Sequence, residues 1–186
     1  MKKSIIKLLL VFLIVFSCEE NSKEIDLSNQ YYTILNSSNF SAAKNILADS
    51  LFTTEINYEK VFSKEEYIEL LKWDAVFKPK YRVLKVEKVT NGVVKAKVSQ
   101  TNMRVLFLNE SPIVFNQIIR FKNNKISNIE IKEYVKFNDT IFVRNREKLL
   151  SWIKMYHPEI KDFIHDQTEA GALNYLKAIN LYNDAH

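Results

Sequence analysis

The sequence predicts an α+β fold, with helices set apart from an antiparallel sheet in a single domain. Three observations predict it. Apolar residues recur at helical spacing between residues 28 and 77, broken by one short strand-like run. The period then changes to two from Tyr81 to Phe137, and helical spacing returns from 138 to 186.

The first helical stretch, "SNQYYTILNSSNFSAAKNILADSL", starts with Ser28 as a predicted N-cap, and Tyr31, Tyr32, Ile34 and Leu35 make one apolar face. "NSSN" breaks it as a turn, and Ser41 to Ala48 resumes with helix formers, so the segment predicts a helical hairpin. Residues 51–58, "LFTTEINY", are rich in β-branched and aromatic types and predict a strand. "SKEEYIELLKWDAVF" opens with Ser63 and Glu66 at capping-box spacing. Tyr67, Leu70, Leu71, Asp74 and Phe77 follow near helical spacing, and Pro79 ends the helix.

The alternating region reads as a meander of four strands. "YRVLKVEKV", Asn91-Gly92 and "VVKAKVSQTNMRVLF" form a strand–turn–strand pattern; "IVFNQIIRF" and "ISNIEIKEYVKF" supply the other two. In the tail, "REKLLSWIKMYH" places Leu149, Leu150, Ile153 and Tyr156 on one helical face. Pro158 is read as the start of a new helical turn, and "GALNYLKAINLY" closes the chain as a helix.

The N-terminus reads as a targeting segment. Lys2, Lys3 and Lys7 precede nine consecutive apolar residues, Leu8 to Phe16, a core too short to span a bilayer comfortably. The single cysteine, Cys18, follows Ser17 at once, and "VFSC" resembles the bacterial lipobox. That resemblance implies cleavage after residue 17, acylation of Cys18 by two or three chains, and a cell-envelope location, the outer membrane favoured over the inner. One acyl chain binds marginally, whereas two or more anchor stably. A plain secretory signal and an uncleaved apolar anchor are the alternative readings. Residues 18–27, polar and charged after the cysteine, read as a tether, residues 28–137 as the domain, and 138–186 as a helical extension.

Composition narrows the function classes. The chain has 27 Lys and Arg against 22 Asp and Glu, but residues 1–17 carry three of the lysines and no acid. The mature 169 residues are therefore nearly balanced, at +2, which argues against a nucleic-acid partner. Two glycines, Gly92 and Gly171, far apart, exclude glycine-rich phosphate loops. One cysteine excludes a disulfide within the chain.

Candidate binding residues come from the meander. Val94, Ala96, Val98, Gln100, Asn102, Arg104 and Leu106 share one face of the second strand, apolar at both ends and polar between. On a face that lines a pocket this gives apolar walls with a few polar groups, and Gln117 on the next strand could join them. The competing reading turns Gln100 to Arg104 toward solvent after a bulge. Tyr31, Tyr32 and Trp73 are aromatic-wall candidates for an apolar ligand, with core packing as the commoner role. His157, Asp162, His165 and Asp166 could suggest a metal, but Pro158 separates His157 from the rest, and a solvated helix end is the favoured reading. No cofactor is implied.

This order of elements resembles the nuclear transport factor 2-like superfamily, also called SnoaL-like or ketosteroid-isomerase-like. The resemblance is carried by "YYTILNSSNFSAAKNILADSLF" and by the meander from Tyr81 to Tyr134. It implies a curved sheet wrapped around N-terminal helices as a cone with an interior pocket. In the ketosteroid isomerases a carboxylate on the first strand is the general base, working beside a tyrosine and a protonated acid. Aligning "ILADSLFTTEI" with that segment brings Glu55 to the base position, with Glu for Asp and Ile56 in place of a proline. No tyrosine–acid pair stands out at the matching positions. The pocket candidates are therefore Tyr32, Glu55, Trp73, Gln100, Asn102, Arg104 and Gln117. The expected function is non-catalytic binding of a small apolar ligand or an envelope partner. The alternatives are an isomerase or lyase with Glu55 as base, and a structural module that forms homodimers.

Overall fold

A computed structural model of the protein describes residues 23–186. The signal segment 1–17, Cys18 and the tether residues 19–22 lie outside the described residues.

Helix α1 (Lys23–Ser37) begins five residues before Ser28, so residues 23–27 belong to a helix rather than to the expected tether. Ser28 is not its N-cap: it is buried inside the helix, and its hydroxyl donates to the Glu24 carbonyl at 2.8 Å. Long-range contacts explain the earlier start. Glu24 accepts from the Gly92 backbone at 3.1 Å and pairs with Lys88 at 3.2 Å, and Leu27 packs on the core. Helix α2 (Phe40–Ile46) completes the hairpin, with the Asn39 side chain accepting from the Ala42 N–H.

Strand β1 (Leu47–Glu55) turns at Ile56, in the left-handed region, into β2 (Tyr58–Ser63). The sequence predicts one strand here, over 51–58. The turn has no glycine or proline to mark it, and charged residues interrupt the β2 pattern. Helix α3 (Lys64–Ala75) carries the predicted capping box in full: the Glu66 N–H donates to Ser63 Oγ at 3.2 Å, and the Ser63 N–H to Glu66 Oε2 at 2.7 Å.

Strands β3 (Lys80–Thr90) and β4 (Val93–Thr101) meet at Asn91-Gly92, where Gly92 takes φ +73°. The second strand stops sooner than predicted. Residues Met103–Asn109 form a helix, α4, whose N-cap Asn102 accepts from the Val105 N–H at 2.6 Å. Asn102, Arg104 and Leu106 thus leave the strand face on which alternation placed them. Strands β5 (Ile113–Lys122) and β6 (Lys125–Lys136) turn at Asn123-Asn124, both with positive φ. Helices α5 (Asp139–Tyr156) and α6 (Glu169–Asp184) form the extension. Between them residues 157–168 form turns, so Pro158 opens no helix and Asp162 and His165 share no helical face.

The six strands form one sheet in the order β2-β1-β6-β5-β4-β3. The meander is antiparallel throughout, but β1 runs parallel to β6, so the sheet is mixed rather than wholly antiparallel. Register shifts recur in β1, β3 and the β5–β6 pair. Such bulges bend strands and increase their twist, curling the sheet around the N-terminal helices. The first core lies in that hollow, from Tyr31 and Ile34 to Leu51, Val98, Ile119 and Ile129. A second core joins Phe77, Leu108, Leu149, Ile153, Tyr175 and Ile179, so the extension packs on the end of α3 and on α4.

Candidate functional site

The two cores do not fill the hollow. Between them lies a cavity of about 560 Å³. Tyr31, Tyr32 and Leu35 of α1 form its floor, and Leu71, Phe115, Ile129 and Ile131 form apolar wall. The extension adds Phe142, Arg146, Ile164 and Tyr175; it walls the cavity and does not plug it. Glu55, Tyr58, His165 and Gln167 are exposed at the rim.

Polar groups converge on one side. Asp74 projects from α3 and accepts twice: from the Tyr81 hydroxyl at 2.8 Å through Oδ2, and from Asn102 Nδ2 at 3.1 Å through Oδ1. Gln100 Nε2 donates to Tyr81 Oη at 2.9 Å, extending the chain of bonds along the wall. Asp74 faces the cavity yet is enclosed by protein, and that burial raises its carboxyl above the usual range. The Tyr81 hydroxyl, the Arg104 charge and Asn102 oppose the rise in part. Burial and the neighbouring carboxylate push the Tyr81 phenol far up. Deeper in, Tyr32 Oη donates to Gln117 Oε1 at 2.6 Å, and Tyr31 and Tyr67 share a hydroxyl–hydroxyl bond at 2.6 Å. These bonds satisfy hydroxyls that would be costly to bury alone.

Arg104 enters from the first turn of α4. Its guanidinium lies over the Trp73 ring at 5.0 Å and near Phe77 at 5.8 Å, within cation–π range. The Trp73 indole N–H donates to the Asp166 carbonyl at 3.0 Å, fastening the 157–168 connection over this wall.

Six of the seven predicted pocket residues line the cavity: Tyr32, Glu55, Trp73, Gln100, Arg104 and Gln117. Asn102 does not; it is buried, caps α4 and holds Asp74. Glu55 sits at the rim, exposed, accepting from the Tyr134 hydroxyl, and makes no ion pair with Arg104. Arg104 reaches the cavity from a helix rather than from the predicted strand. Sequence reasoning missed Asp74 and Tyr81. One signal was present: Asp74 is the single acid on the otherwise apolar stripe Tyr67, Leu70, Leu71, Phe77.

No protein-family model matches the sequence, and no curated protein sequence matches it. Solved structures do match in shape. IdmH, a proposed polyketide cyclase from Streptomyces antibioticus, is similar at a TM-score of 0.52 and 8% identity, covering 68% of this chain and 99% of that one. A proposed ketosteroid isomerase from Kribbella flavida is similar at 0.51 and 11% identity, covering 63% of this chain and 81% of that one. A protein of unknown function from Cytophaga hutchinsonii, described as nuclear transport factor 2-like, has 17% identity and a TM-score of 0.49, covering 61% of this chain and 89% of that one. The order of elements, the curled sheet and the likeness to the first two structures together establish the fold as the nuclear transport factor 2-like, or ketosteroid-isomerase-like, cone.

Proposed function

We propose that this chain is a lipid-anchored envelope protein whose cone binds, without turning it over, a small ligand with an apolar body. The observation that carries the binding reading is the cavity of about 560 Å³, open at its rim, apolar on most walls and polar on one. Such a site is within the range of small-molecule pockets, about 300–1,000 Å³.

Two observations favour binding over catalysis. Glu55, the base an isomerase reading needs, is exposed at the rim and engaged by Tyr134. Asp74 is the other acid on the wall, but it accepts one bond from Tyr81 and one from Asn102, and both favour its charged form and so weaken it as a proton acceptor.

The anchor reading rests on Cys18 in "VFSC" and gives the cavity a direction. Cys18 stands five residues before Lys23, a reach of at most about 18 Å. The start of α1 is fastened to the β3–β4 turn through Glu24, Gly92 and Lys88. The cavity is lined by Gln100, at the other end of β4, about 26 Å away along the strand. An anchored chain would then hold the Gln100 wall of the cavity away from the lipid.

Labelled palmitate should enter the full chain and not the Cys18→Ser variant; absence of label from both would sink the anchor. For the cavity, a chain starting at residue 19 retains every contact described above. Titration with the neutral dye N-phenylnaphthylamine should give a saturable, blue-shifted signal. A flat titration would sink the binding reading.

A further inference from the structure

Arg104 is a cation held in place without an anion. Its guanidinium lies over the Trp73 ring at 5.0 Å and the Phe77 ring at 5.8 Å, and the residue is half-buried. Among the described residues it has no carboxylate oxygen within 4.0 Å. Its Nε–H is buried and donates to nothing. Its charge acts on Asp74, Tyr134 and Tyr175, and Tyr175 is also a side-chain hydrogen-bond partner of Arg104, a neutral phenol rather than an anion. A guanidinium presents five donors in a rigid fork, and an enclosed charge left unpaired is costly. The nearby acids do not neutralise it at contact: Asp74 is occupied by Tyr81 and Asn102, and Glu55 by Tyr134.

We propose that Arg104 is the recognition residue for a monocarboxylic acid with an apolar body, whose carboxylate completes the guanidinium fork while its body lies along Leu35, Phe115, Ile129 and Ile131. This inference rests on the cavity being a binding site and names the class of ligand it takes. A planar carboxylate matches the fork in geometry. A dianionic phosphate fits less well, because the Asp74 carboxylate beside Arg104 would repel its second charge. Gln100 and Gln117, both on the cavity wall, offer amide groups on the same side for the remaining lone pairs or for a second polar substituent.

The test is a displacement experiment with a matched pair. The chain starting at residue 19 is loaded with N-phenylnaphthylamine and titrated near neutral pH with decanoate and, separately, with decanol. Decanoate should displace the dye at a concentration about tenfold or more below that of decanol, the advantage expected from charge-assisted hydrogen bonds. In Arg104→Gln that advantage should fall to less than about twofold. Arg104→Lys should keep only part of it, because the charge remains and the fork is lost. An arginine Nε–H resonance that moves on adding decanoate and stays put with decanol gives the same reading in the unmutated chain, should the variants fail to fold. Equal displacement by acid and alcohol overturns the carboxylate proposal and leaves the cavity reading standing. Failure of the dye itself to bind overturns the cavity reading.

Discussion

Replacing Phe77 with alanine tests whether the C-terminal extension and the cone are one body. Phe77 is fully buried at the exit of α3, and its ring meets Trp73 at 5.2 Å and Tyr175 at 5.7 Å in edge-to-face geometry. It is therefore a shared knob between α3 and α6. Its backbone carbonyl accepts from the Met103 N–H at 3.0 Å, a bond that alanine keeps, so the variant removes the ring alone. Phe-to-Ala changes in cores cost about 3–5 kcal/mol, and the value depends on how far the site can collapse. Here the surrounding rings come from different elements fixed by their own contacts, so collapse is limited and the expected loss is about 4 kcal/mol. With a slope of roughly 2 kcal/mol per molar, the urea midpoint should fall by about 2 M. The assay is urea unfolding followed in parallel by tryptophan fluorescence and far-UV circular dichroism. One shared transition is expected, because Trp152 lies on the extension, Trp73 on α3, and both pack on the second core. A midpoint shift below about 0.5 M, or an extension that melts apart from the sheet, would refute the reasoning.

Three further outcomes follow from local geometry. Gly171→Ala should destabilise the protein, although alanine is usually favoured by about 1 kcal/mol inside a helix. The added Cβ would sit 2.3 Å from the Asp166 carbonyl oxygen, the same atom that accepts from Trp73, so melting temperature should drop and indole emission should shift to the red. Ser63→Ala should cost about 1 kcal/mol in urea titrations, because it removes the capping oxygen for the Glu66 N–H. Tyr31, Tyr32, Tyr67 and Tyr81 all have phenols raised by burial, Tyr67 to about 12. An acid group whose folded pKa exceeds its unfolded one contributes stability that is complete below the unfolded value, near 10 for tyrosine, and is lost as pH rises through the folded value. Stability should therefore decline above about pH 10, and absorbance titration should show these phenols ionising together with unfolding. Normal titration of all nine tyrosines in a still-folded chain would contradict the packing described.

Local grammar carried the reading far in some elements and failed in others for definable reasons. The capping box at Ser63 and the Asn91-Gly92 turn depend on neighbours within a few residues, and both formed as expected. The start of α1 depends on Gly92 and Lys88, more than sixty positions away, and composition around Lys23 gives no hint of them. The stretch "TNMRVLF" alternates well enough to pass for a strand. Its choice of helix follows from the Asn102 cap and from Val105 and Leu108 reaching two different cores, which a strand running straight on could not do. The pairing of β1 with β6 was equally hidden, since parallel neighbours carry no turn signal between them.

The sequence by itself determined the α+β class, the meander and most of the helices. These follow from hydrophobic period and turn chemistry, which act over short separations. Only the tertiary structure decided that Asp74 and Tyr81 bond to each other, that Arg104 arrives from a helix, and that the extension leaves the cavity open. Those outcomes depend on which distant surfaces come to share one enclosed space, where burial and the few hydrogen-bond partners within reach set the behaviour of each polar group.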